Sequence, residues 1–420
     1  MRFKYIKNLM YQKSVKNILI YVFGQLFNLF TPLLAAPYLI YVCGEENYGK
    51  IGVSLAISFF LIVIIDYGSE IIGVKNVAIN ANNKTKLEHI LATTYLAKFL
   101  LLIVILLLFI ILFITIPYFK YEKKLFLFGL LVVVGQFLNP TWFFQGIENF
   151  KAITILNITS KVLYILGVFL FIKQESDYFL ANLFWGIGTM IANFLIGIFY
   201  LRNYNLNYNS TTKKEIIIYL KDNFSMVLSQ MFLSLQLYLP ILLIGFIGGN
   251  IMAGKFKILD QIIVMFKTYI FLFFNYVYPR VCSLISINFN QGIKFWRTYN
   301  LLNIIFISIC MIIIYLFAKP IVQFFNPTAV TEIVCLLKFG VFIPFFLSIS
   351  ISLKQLVLAL NLDKKYIRIT MIMVSLNLIL ITLLITKFEI FGVIFSIIFI
   401  DFLIILYFIK IILEKKKSTI

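Results

Sequence analysis

The 420-residue chain is 62% hydrophobic and only 13% charged, with a formal net charge of +20. Soluble domains are about half apolar and about a quarter charged, so this composition excludes a soluble fold, a disordered chain and a disulfide-stapled secreted scaffold. The positive charge alone would suit a nucleic-acid partner, and its placement along the chain decides whether that interpretation holds.

Apolar runs between polar breaks predict twelve membrane spans. A span takes about 20 residues, and backbone inside a bilayer must satisfy its own hydrogen bonds, which favours helices. A β-barrel would instead alternate apolar and polar residues. Pro140 is expected to kink the fourth span. The predicted spans cover residues 18–42, 47–69, 88–117, 124–145, 152–172, 178–201, 222–247, 251–281, 298–318, 333–360, 366–386 and 389–412.

Lysine and arginine concentrate on one side of these spans. Most lie in the two termini and in the loops on the same side, and few lie in the opposite loops. An excess of these residues marks the cytoplasmic face, so both termini are expected in the cytoplasm and no nucleic-acid partner is expected. The basic N-terminus precedes an apolar run with no small-residue cleavage motif, so we interpret that run as a retained span, not a signal peptide.

Three segments of the first half recur in the same order in the second half. The clearest is Gly, four residues, Gly, Lys, which follows both the first and the seventh span. Parallel six-span repeats are a transporter architecture with the substrate path between two lobes. We therefore predict an all-α, polytopic membrane protein of about twelve helices, with lobes at 1–205 and 206–420 around a central cavity. The matching segments are Asn17 and Asn223, Gly44–Lys50 and Gly249–Lys255, and Gln145–Thr154 and Leu360–Thr370.

Four lysines inside the predicted spans are candidates to line the substrate path. Ionisable groups in a membrane usually face a bundle interior or a water-filled cavity. With few acidic groups at the same depth, these lysines indicate a cationic path that suits a phosphate-bearing substrate such as a lipid pyrophosphate. The alternative is that they snorkel or form structural ion pairs. The lysines are Lys98, Lys161 and Lys267 near the midplane, and Lys354 nearer the cytoplasm.

Four carboxylates in or beside the spans could relay protons, bind a cation or act in gating, with structural pairing as the alternative. Asp260 and Lys267 are seven residues apart and share one helix face, and Lys257 is close enough to Asp260 to pair with it. Coupling to protons or to sodium is left open. The carboxylates are Asp66, Glu70, Asp260 and Asp401.

Metal and catalytic sites are not expected. The four cysteines have no CxxC spacing, and the single histidine, His89, has no cysteine nearby in the sequence, so it is weak evidence for a metal site or a catalytic dyad. We predict no catalytic residues, no metal site and no cofactor other than a coupling ion.

Three strings carry a family resemblance. PYLIYVCGEENYGKIG (37–52), DYGSEIIGVKNVA (66–78) and NPTWFFQGIENFKAITILNITSKVL (139–163) resemble the Wzx-type polysaccharide biosynthesis flippases that carry O-antigen or other repeat units. These flippases belong to the multidrug/oligosaccharidyl-lipid/polysaccharide exporter superfamily. The run YPRVCSLI (278–285) is also similar. Tyr41 and Lys75 stand where that family often has arginine.

The resemblance implies a two-lobe fold that alternates access. It implies movement of an undecaprenyl-pyrophosphate-linked oligosaccharide from the cytoplasmic to the outer leaflet of the bacterial inner membrane, for O-antigen or capsule synthesis. It also implies contact with membrane lipid and partnership with a polysaccharide polymerase and a chain-length regulator. The motif positions carried over, as turn, gate or packing residues, are Pro37, Gly44, Gly49, Asp66, Gly68, Lys75, Trp142, Gln145, Gly146 and Glu148, and Lys161 also matches the family.

Two other functions remain as alternatives. A cation-coupled drug exporter of the same superfamily would need acidic groups near the midplane, which the lysine excess disfavours. A membrane polysaccharide polymerase would need a sizeable extramembrane loop with catalytic acids or bases. The longest predicted cytoplasmic connection, about 202–221, is short, so we predict that the chain is not an enzyme.

Overall fold

A computed structural model describes residues 2–204, 211–325, 327–360 and 362–417, and these residues form helices joined by turns, with no β-strand among them. The predicted all-α fold is confirmed. Residue 361, which belongs to the third matching segment of the predicted repeat (360–370), lies outside the described residues. The helices are α1 (Arg2–Asp66), α2 (Val74–Ile79), α3 (Lys84–Thr115), α4 (Pro117–Tyr121), α5 (Lys123–Phe137), α6 (Thr141–Gly146), α7 (Phe150–Phe171), α8 (Leu180–Leu201), α9 (Lys213–Leu243), α10 (Asn250–Ile287), α11 (Phe289–Leu316), α12 (Ala318–Phe324), α13 (Val330–Gly340), α14 (Phe342–Ala359) and α15 (Asp363–Lys417).

Ten helical stretches of the described chain are long and apolar enough to cross a membrane. Two of them, Phe23–Asp66 and Lys364–Lys415, are about twice the length of a single span. Each of these two contains two predicted spans, so the ten stretches account for all twelve. The chain is therefore a multi-pass membrane protein.

The two long stretches are bent where one predicted span meets the next. Helix α1 leaves helical geometry at Gly44 (φ 79°, ψ 164°), and α15 does so at Glu389 (φ 50°, ψ −134°). Gly249, which precedes α10, has nearly the same backbone conformation as Gly44, with φ 86° and ψ 172°. Gly44 and Gly249 are corresponding residues of the predicted repeat, and a positive φ favours glycine at both.

Polar caps and proline set the ends of several helices. The Asn83 side chain accepts a hydrogen bond from the Lys86 N–H at the start of α3, and Asn149 does the same for Ala152 at the start of α7. Pro140 lies between the end of α5 and the start of α6. The expected kink in the fourth predicted span is thus a break between two helices.

The chain forms two compact units. Unit 1 comprises Met1–Cys43 and Ser54–Ser234, and unit 2 comprises Gly44–Val53 and Leu235–Ile420. The first part of α9 thus belongs to unit 1, and a short segment of α1 belongs to unit 2. The division into repeat lobes at residue 205 stays a prediction.

Buried amide side chains join the helices of each unit. In unit 1, Asn182 Nδ2 donates to Ser54 Oγ at 2.8 Å, and Asn193 Nδ2 donates to the Gly135 carbonyl at 2.6 Å. In unit 2, Asn300 Nδ2 donates to Gln355 Oε1 at 2.9 Å. Between membrane helices such bonds add to close packing because no hydrophobic effect drives association there.

Large apolar side chains cover much of the helix surface. On α3 and α11 these include Ile111, Ile114, Leu302 and Ile312, each more than half exposed. A soluble protein rarely exposes apolar surface on this scale, and lipid is the solvent that fits it.

Candidate functional site

A buried ion pair lies at the end of α1 in unit 1. Lys98 Nζ on α3 donates to Asp66 Oδ1 at 3.0 Å, and Gln136 Nε2 on α5 donates to Asp66 Oδ2 at 2.9 Å. Lys98 is 0% exposed and Asp66 is 6% exposed. Both carboxylate oxygens are therefore occupied, which is the condition under which a buried charge is tolerated.

The ion pair is connected to the tryptophan motif by a chain of amides. Gln136 Oε1 accepts from Asn139 Nδ2 at 3.1 Å, and Asn139 Oδ1 accepts from the Thr141 N–H at 2.9 Å, at the start of α6. The Trp142 ring lies 5.8 Å from Lys98 Nζ. The motif that carried the family resemblance thus positions the residues around Asp66.

Helix α6 packs tightly on the segment that follows Asp66. A Cβ at Gly73 would lie 2.9 Å from the Trp142 ring, and a Cβ at Gly146 would lie 2.5 Å from the Val77 side chain. Trp142 is 2% exposed and belongs to a buried apolar cluster with Val77. Trp142 and Gly146 therefore lie in close packing contact with this segment.

The turn after Asp66 has an unusual backbone. Tyr67 (φ 42°) and Gly68 (φ 75°) are both left-handed, and a π-helical turn follows at Ser69–Gly73. A non-glycine residue with positive φ is strained, and such strain is often found at functional positions. The Tyr67 hydroxyl donates to the Leu220 carbonyl at 2.9 Å, which fixes the turn to α9.

Glu70 lies on this π-helical turn and its side chain is exposed. The Asp66 carboxylate and the surrounding protein raise the pKa of Glu70 from 4.5 to about 7, against the opposing effect of Lys98. A carboxylate beside a like charge holds its proton more tightly. The gating or coupling role of Glu70 stays a prediction.

Lys161 on α7 has a different environment from Lys98. Its side chain is buried, and Nζ lies 3.6 Å from the centre of the Trp185 ring of α8. Among the residues that the structure describes, no carboxylate and no hydrogen-bond acceptor contacts this amino group. The aromatic face offers a cation–π contact, but it does not neutralise the charge.

A charge cluster lies on α10 in unit 2. Asp260 Oδ1 is 3.4 Å from Lys267 Nζ, and Asp260 Oδ2 is 3.6 Å from Lys257 Nζ. The helix-face pairings inferred from the sequence are therefore present. Asp401 on α15 is 3% exposed and interacts with the Ser350 hydroxyl and, electrostatically, with Lys267.

Lys354 on α14 contacts two aromatic rings. Its Nζ lies 4.9 Å from the Tyr366 ring and 5.5 Å from the Phe274 ring, all within unit 2. Lys354 is thus, with Lys98 and Lys161, one of three predicted path lysines that lie over an aromatic ring.

The other motif positions are turn, packing or surface residues. Pro37 lies inside α1 and is half-buried, and Gly49 packs against Gly254. Lys75, Gln145 and Glu148 are exposed, and Glu148 has a positive φ of 57°.

Sequence reasoning missed Gln136 and Trp185, which the structure places at these sites, and Glu45, which is buried elsewhere in unit 2. Gln136 is an isolated amide in an apolar run, a signal that could have identified it. Trp185 is one aromatic residue among many, so nothing in the sequence distinguishes it. Glu45 is 8% exposed, and its Oε1 accepts hydrogen bonds from the N–H groups of Thr328 and Ala329 just before α13.

Comparison with known sequences supports the family resemblance. A family model described as polysaccharide biosynthesis protein matches residues 14–284, more than half of the chain. A protein named "Putative O-antigen transporter" from Escherichia coli (strain K12) is 24% identical over 379 residues, 90% of this chain and 91% of that protein. A protein of the same name from Shigella dysenteriae is 23% identical over 284 residues, 67% of this chain and 70% of that protein.

Comparison with solved structures shows the same fold. An inward-facing multidrug resistance MATE family transporter of the MOP superfamily matches 93% of this chain and 96% of its own, with a TM-score of 0.75 and 12% identity. The lipid II flippase MurJ in an inward closed conformation matches 95% of this chain and 87% of its own, with a TM-score of 0.70 and 17% identity. The relatives are transporters and flippases, not catalytic enzymes, as predicted. The chain belongs to the polysaccharide biosynthesis protein family.

Proposed function

We propose that the protein is a flippase for a lipid-linked oligosaccharide. The cargo is an undecaprenyl-pyrophosphate-linked repeat unit that moves from the cytoplasmic to the outer leaflet of a bacterial inner membrane by alternating access, for O-antigen or capsule synthesis. Both termini lie in the cytoplasm. The family, the O-antigen transporter relatives and the flippase fold support the proposal.

The observation that carries the proposal is the environment of Lys161. An ammonium group taken out of water needs an anionic partner to keep its proton, and the contact that the described residues offer Lys161 is the Trp185 ring, at 3.6 Å. A phosphate on the cargo would supply the missing charge, with strong charge-assisted hydrogen bonds.

The other midplane lysines differ from Lys161 because carboxylates already bind them. Lys98 pairs with Asp66 and Lys267 pairs with Asp260. We therefore assign Lys161 the principal cargo contact, with Lys354 as a second cationic group over aromatic rings. Lys98 and Lys267 then act in positioning or gating.

The drug-exporter alternative fits these contacts less well. An organic cation needs a carboxylate that it can reach and neutralise. Asp66 is bonded to Lys98 and Gln136, and Asp260 lies between Lys257 and Lys267. Neither carboxylate is left for an added cation unless its lysine first moves away.

Energy coupling and partners form part of the same proposal. Protons or sodium ions drive transport through Asp66, Glu70, Asp260 or Asp401, and a polysaccharide polymerase and a chain-length regulator take up the product. Consumption of the flipped lipid on the far side would reinforce the direction of transport.

Deletion of the gene in its host tests the function. Lipid-linked oligosaccharide is expected to accumulate in the cytoplasmic leaflet, and re-expression of the intact chain is expected to reverse the accumulation. If the leaflet distribution is the same with and without the chain, the proposal fails.

A further inference from the structure

The contact between Lys161 and the Trp185 ring joins α7 to α8 inside unit 1. Lys161 is 6% exposed, and its Nζ lies 3.6 Å from the ring centre. The quadrupole of an aromatic ring attracts an ammonium group placed over its face, and tryptophan does so better than tyrosine or phenylalanine. The ring thus gives a cation that is shielded from water a partner that carries no charge.

The Trp185 ring is itself held by two other rings. Its centre lies 5.0 Å from that of Tyr164 on α7 and 5.7 Å from that of Phe59 on α1, both in edge-to-face geometry. Edge-to-face pairs of this kind are favourable beyond the area that they bury. The position of the ring over Lys161 is therefore fixed from two sides.

The backbone of α8 is equally constrained just after this ring. A Cβ at Gly186 would lie 2.6 Å from Leu131 Cβ of α5, and a Cβ at Gly188 would lie 2.7 Å from the Ser160 carbonyl oxygen of α7. Such close approaches leave the helix little room to shift. Lys161, in contrast, ends in a compact ammonium group on a flexible four-carbon stem. The lysine side chain is therefore the member of the pair that can move.

The kind of partner distinguishes Lys161 from Lys98. Lys98 Nζ donates to Asp66 at 3.0 Å and lies farther, 5.8 Å, from the Trp142 ring. An incoming anion would have to compete with a carboxylate for Lys98. At Lys161 it competes with an aromatic face, which forms none of the charge-assisted hydrogen bonds that a phosphate offers. The ring is therefore a partner that a phosphate can displace.

We propose that Trp185 is a positioning residue that holds the Lys161 ammonium group while the site is empty and yields it to a phosphate of the cargo. The face of an aromatic ring is negative, so the anion approaches the ammonium group and not the ring. The lysine side chain turns from the ring to the phosphate, and it returns to the ring when the cargo leaves. The release step rests on the proposed flippase function, whereas the contact in the empty protein does not.

The first test needs no cargo. The full chain is labelled with fluorotryptophan at its three tryptophans, reconstituted in lipid and followed by fluorine NMR. Trp185→Phe assigns the Trp185 resonance by its loss. Lys161→Met removes the ammonium group and should shift that resonance, whereas Lys151→Met, at an exposed position of the same helix, should leave it in place. An unshifted Trp185 resonance in Lys161→Met would overturn the proposal.

The other two tryptophans show whether the shift is local. Trp296 lies in unit 2, where its Nε1 donates to the Ser352 carbonyl at 2.9 Å, and Trp142 lies beside Lys98. Both resonances should keep their wild-type positions in Lys161→Met, which also shows that the variant is folded. A shift of all three resonances together would overturn the proposal, because it would report a general rearrangement.

The second test adds farnesyl pyrophosphate, which carries an isoprenoid pyrophosphate without sugars. We expect a saturable shift of the Trp185 resonance towards its position in Lys161→Met. Farnesol, which lacks the pyrophosphate, should cause no such shift, and Lys161→Met should not respond to either compound. The proposal fails if farnesol has the same effect, if the Trp185 resonance does not move, or if only the Trp142 resonance moves. A saturable shift, together with an unchanged leaflet distribution in the deletion strain, would contradict the flippase function and leave this inference standing.

Discussion

Gly49 and Gly254 pack against each other's helices in a locally two-fold arrangement. A Cβ at Gly49 would lie 2.1 Å from the Asn250 carbonyl oxygen, and a Cβ at Gly254 would lie 2.0 Å from the Glu45 carbonyl oxygen. Asn250 follows Gly249 as Glu45 follows Gly44, so corresponding residues of the repeat meet at one crossing. Only glycine at both positions lets the two backbones come this close.

Alanine at this crossing is therefore expected to destabilise the protein. Gly49→Ala or Gly254→Ala should lower the free energy of unfolding by about 1–3 kcal/mol, because the added methyl group meets backbone atoms that have no rotamer to change. Thermal unfolding of the purified protein measures the loss. Gly197→Ala is the control. Gly197 lies inside α8, and a Cβ there would meet only Pro140 Cγ, at 3.9 Å. Equal stability of Gly49→Ala and Gly197→Ala would contradict the close approach.

The Asp66–Lys98 ion pair predicts a coupling free energy between mutations of its two residues. Asp66→Asn or Lys98→Met alone leaves one uncompensated buried charge and should cost about 3–5 kcal/mol of stability. The double variant removes both charges and should cost less than the sum of the two single variants. A double-mutant cycle on unfolding free energies measures the difference.

The exposed pair Lys365–Glu414 serves as the control for that cycle. Its atoms lie 3.5 Å apart, and both side chains are about half exposed. Solvent screening reduces such pairs to about 0–1 kcal/mol, so Lys365→Met and Glu414→Gln should be nearly additive. The account of the buried pair is wrong if the two cycles give the same coupling energy.

Glu70 predicts a pH dependence of stability. Its pKa is about 7 in the folded protein against 4.5 without the fold, chiefly because of Asp66. The folded state then binds the proton more tightly, so this contribution to stability is complete below pH 4.5 and is lost as the pH rises through 7. Glu70→Gln should flatten the fall of the unfolding midpoint over that range. An unchanged slope in the variant would show that Glu70 is not the group responsible.

Much of the architecture could be predicted because the bilayer imposes it. Apolar runs between polar breaks predicted the spans that the ten long apolar helical stretches of the described chain contain, since backbone in lipid has few alternatives to the helix. The recurring Gly, four residues, Gly, Lys pattern predicted a repeat. Gly44 and Gly249 adopt matching positive-φ conformations, which explains why both positions hold glycine. The pairing of Asp260 with Lys267 was predictable because both lie on one helix, where spacing determines which residues meet.

The partners within the candidate site were not predictable in the same way. Asp66 and Lys98 lie 32 residues apart, and Gln136 lies 70 residues from Asp66, so only packing of three helices brings them together. Because Lys98 and Lys161 lie at similar predicted depths in the membrane, the sequence predicted that both line the substrate path. The structure separates them, because one lysine faces a carboxylate and the other faces the Trp185 ring.

The central claim is that the Lys161 ammonium group binds the anionic cargo during flipping. Proteoliposomes loaded with undecaprenyl-pyrophosphate-linked oligosaccharide allow the flipping rate of the purified protein to be measured. Lys161→Met should slow flipping by about tenfold or more, because it removes a charge-assisted contact. Lys161→Arg, which keeps the charge, should retain more activity. Lys151→Met, at an exposed position of the same helix, should match the wild type. Wild-type flipping by Lys161→Met would contradict the account.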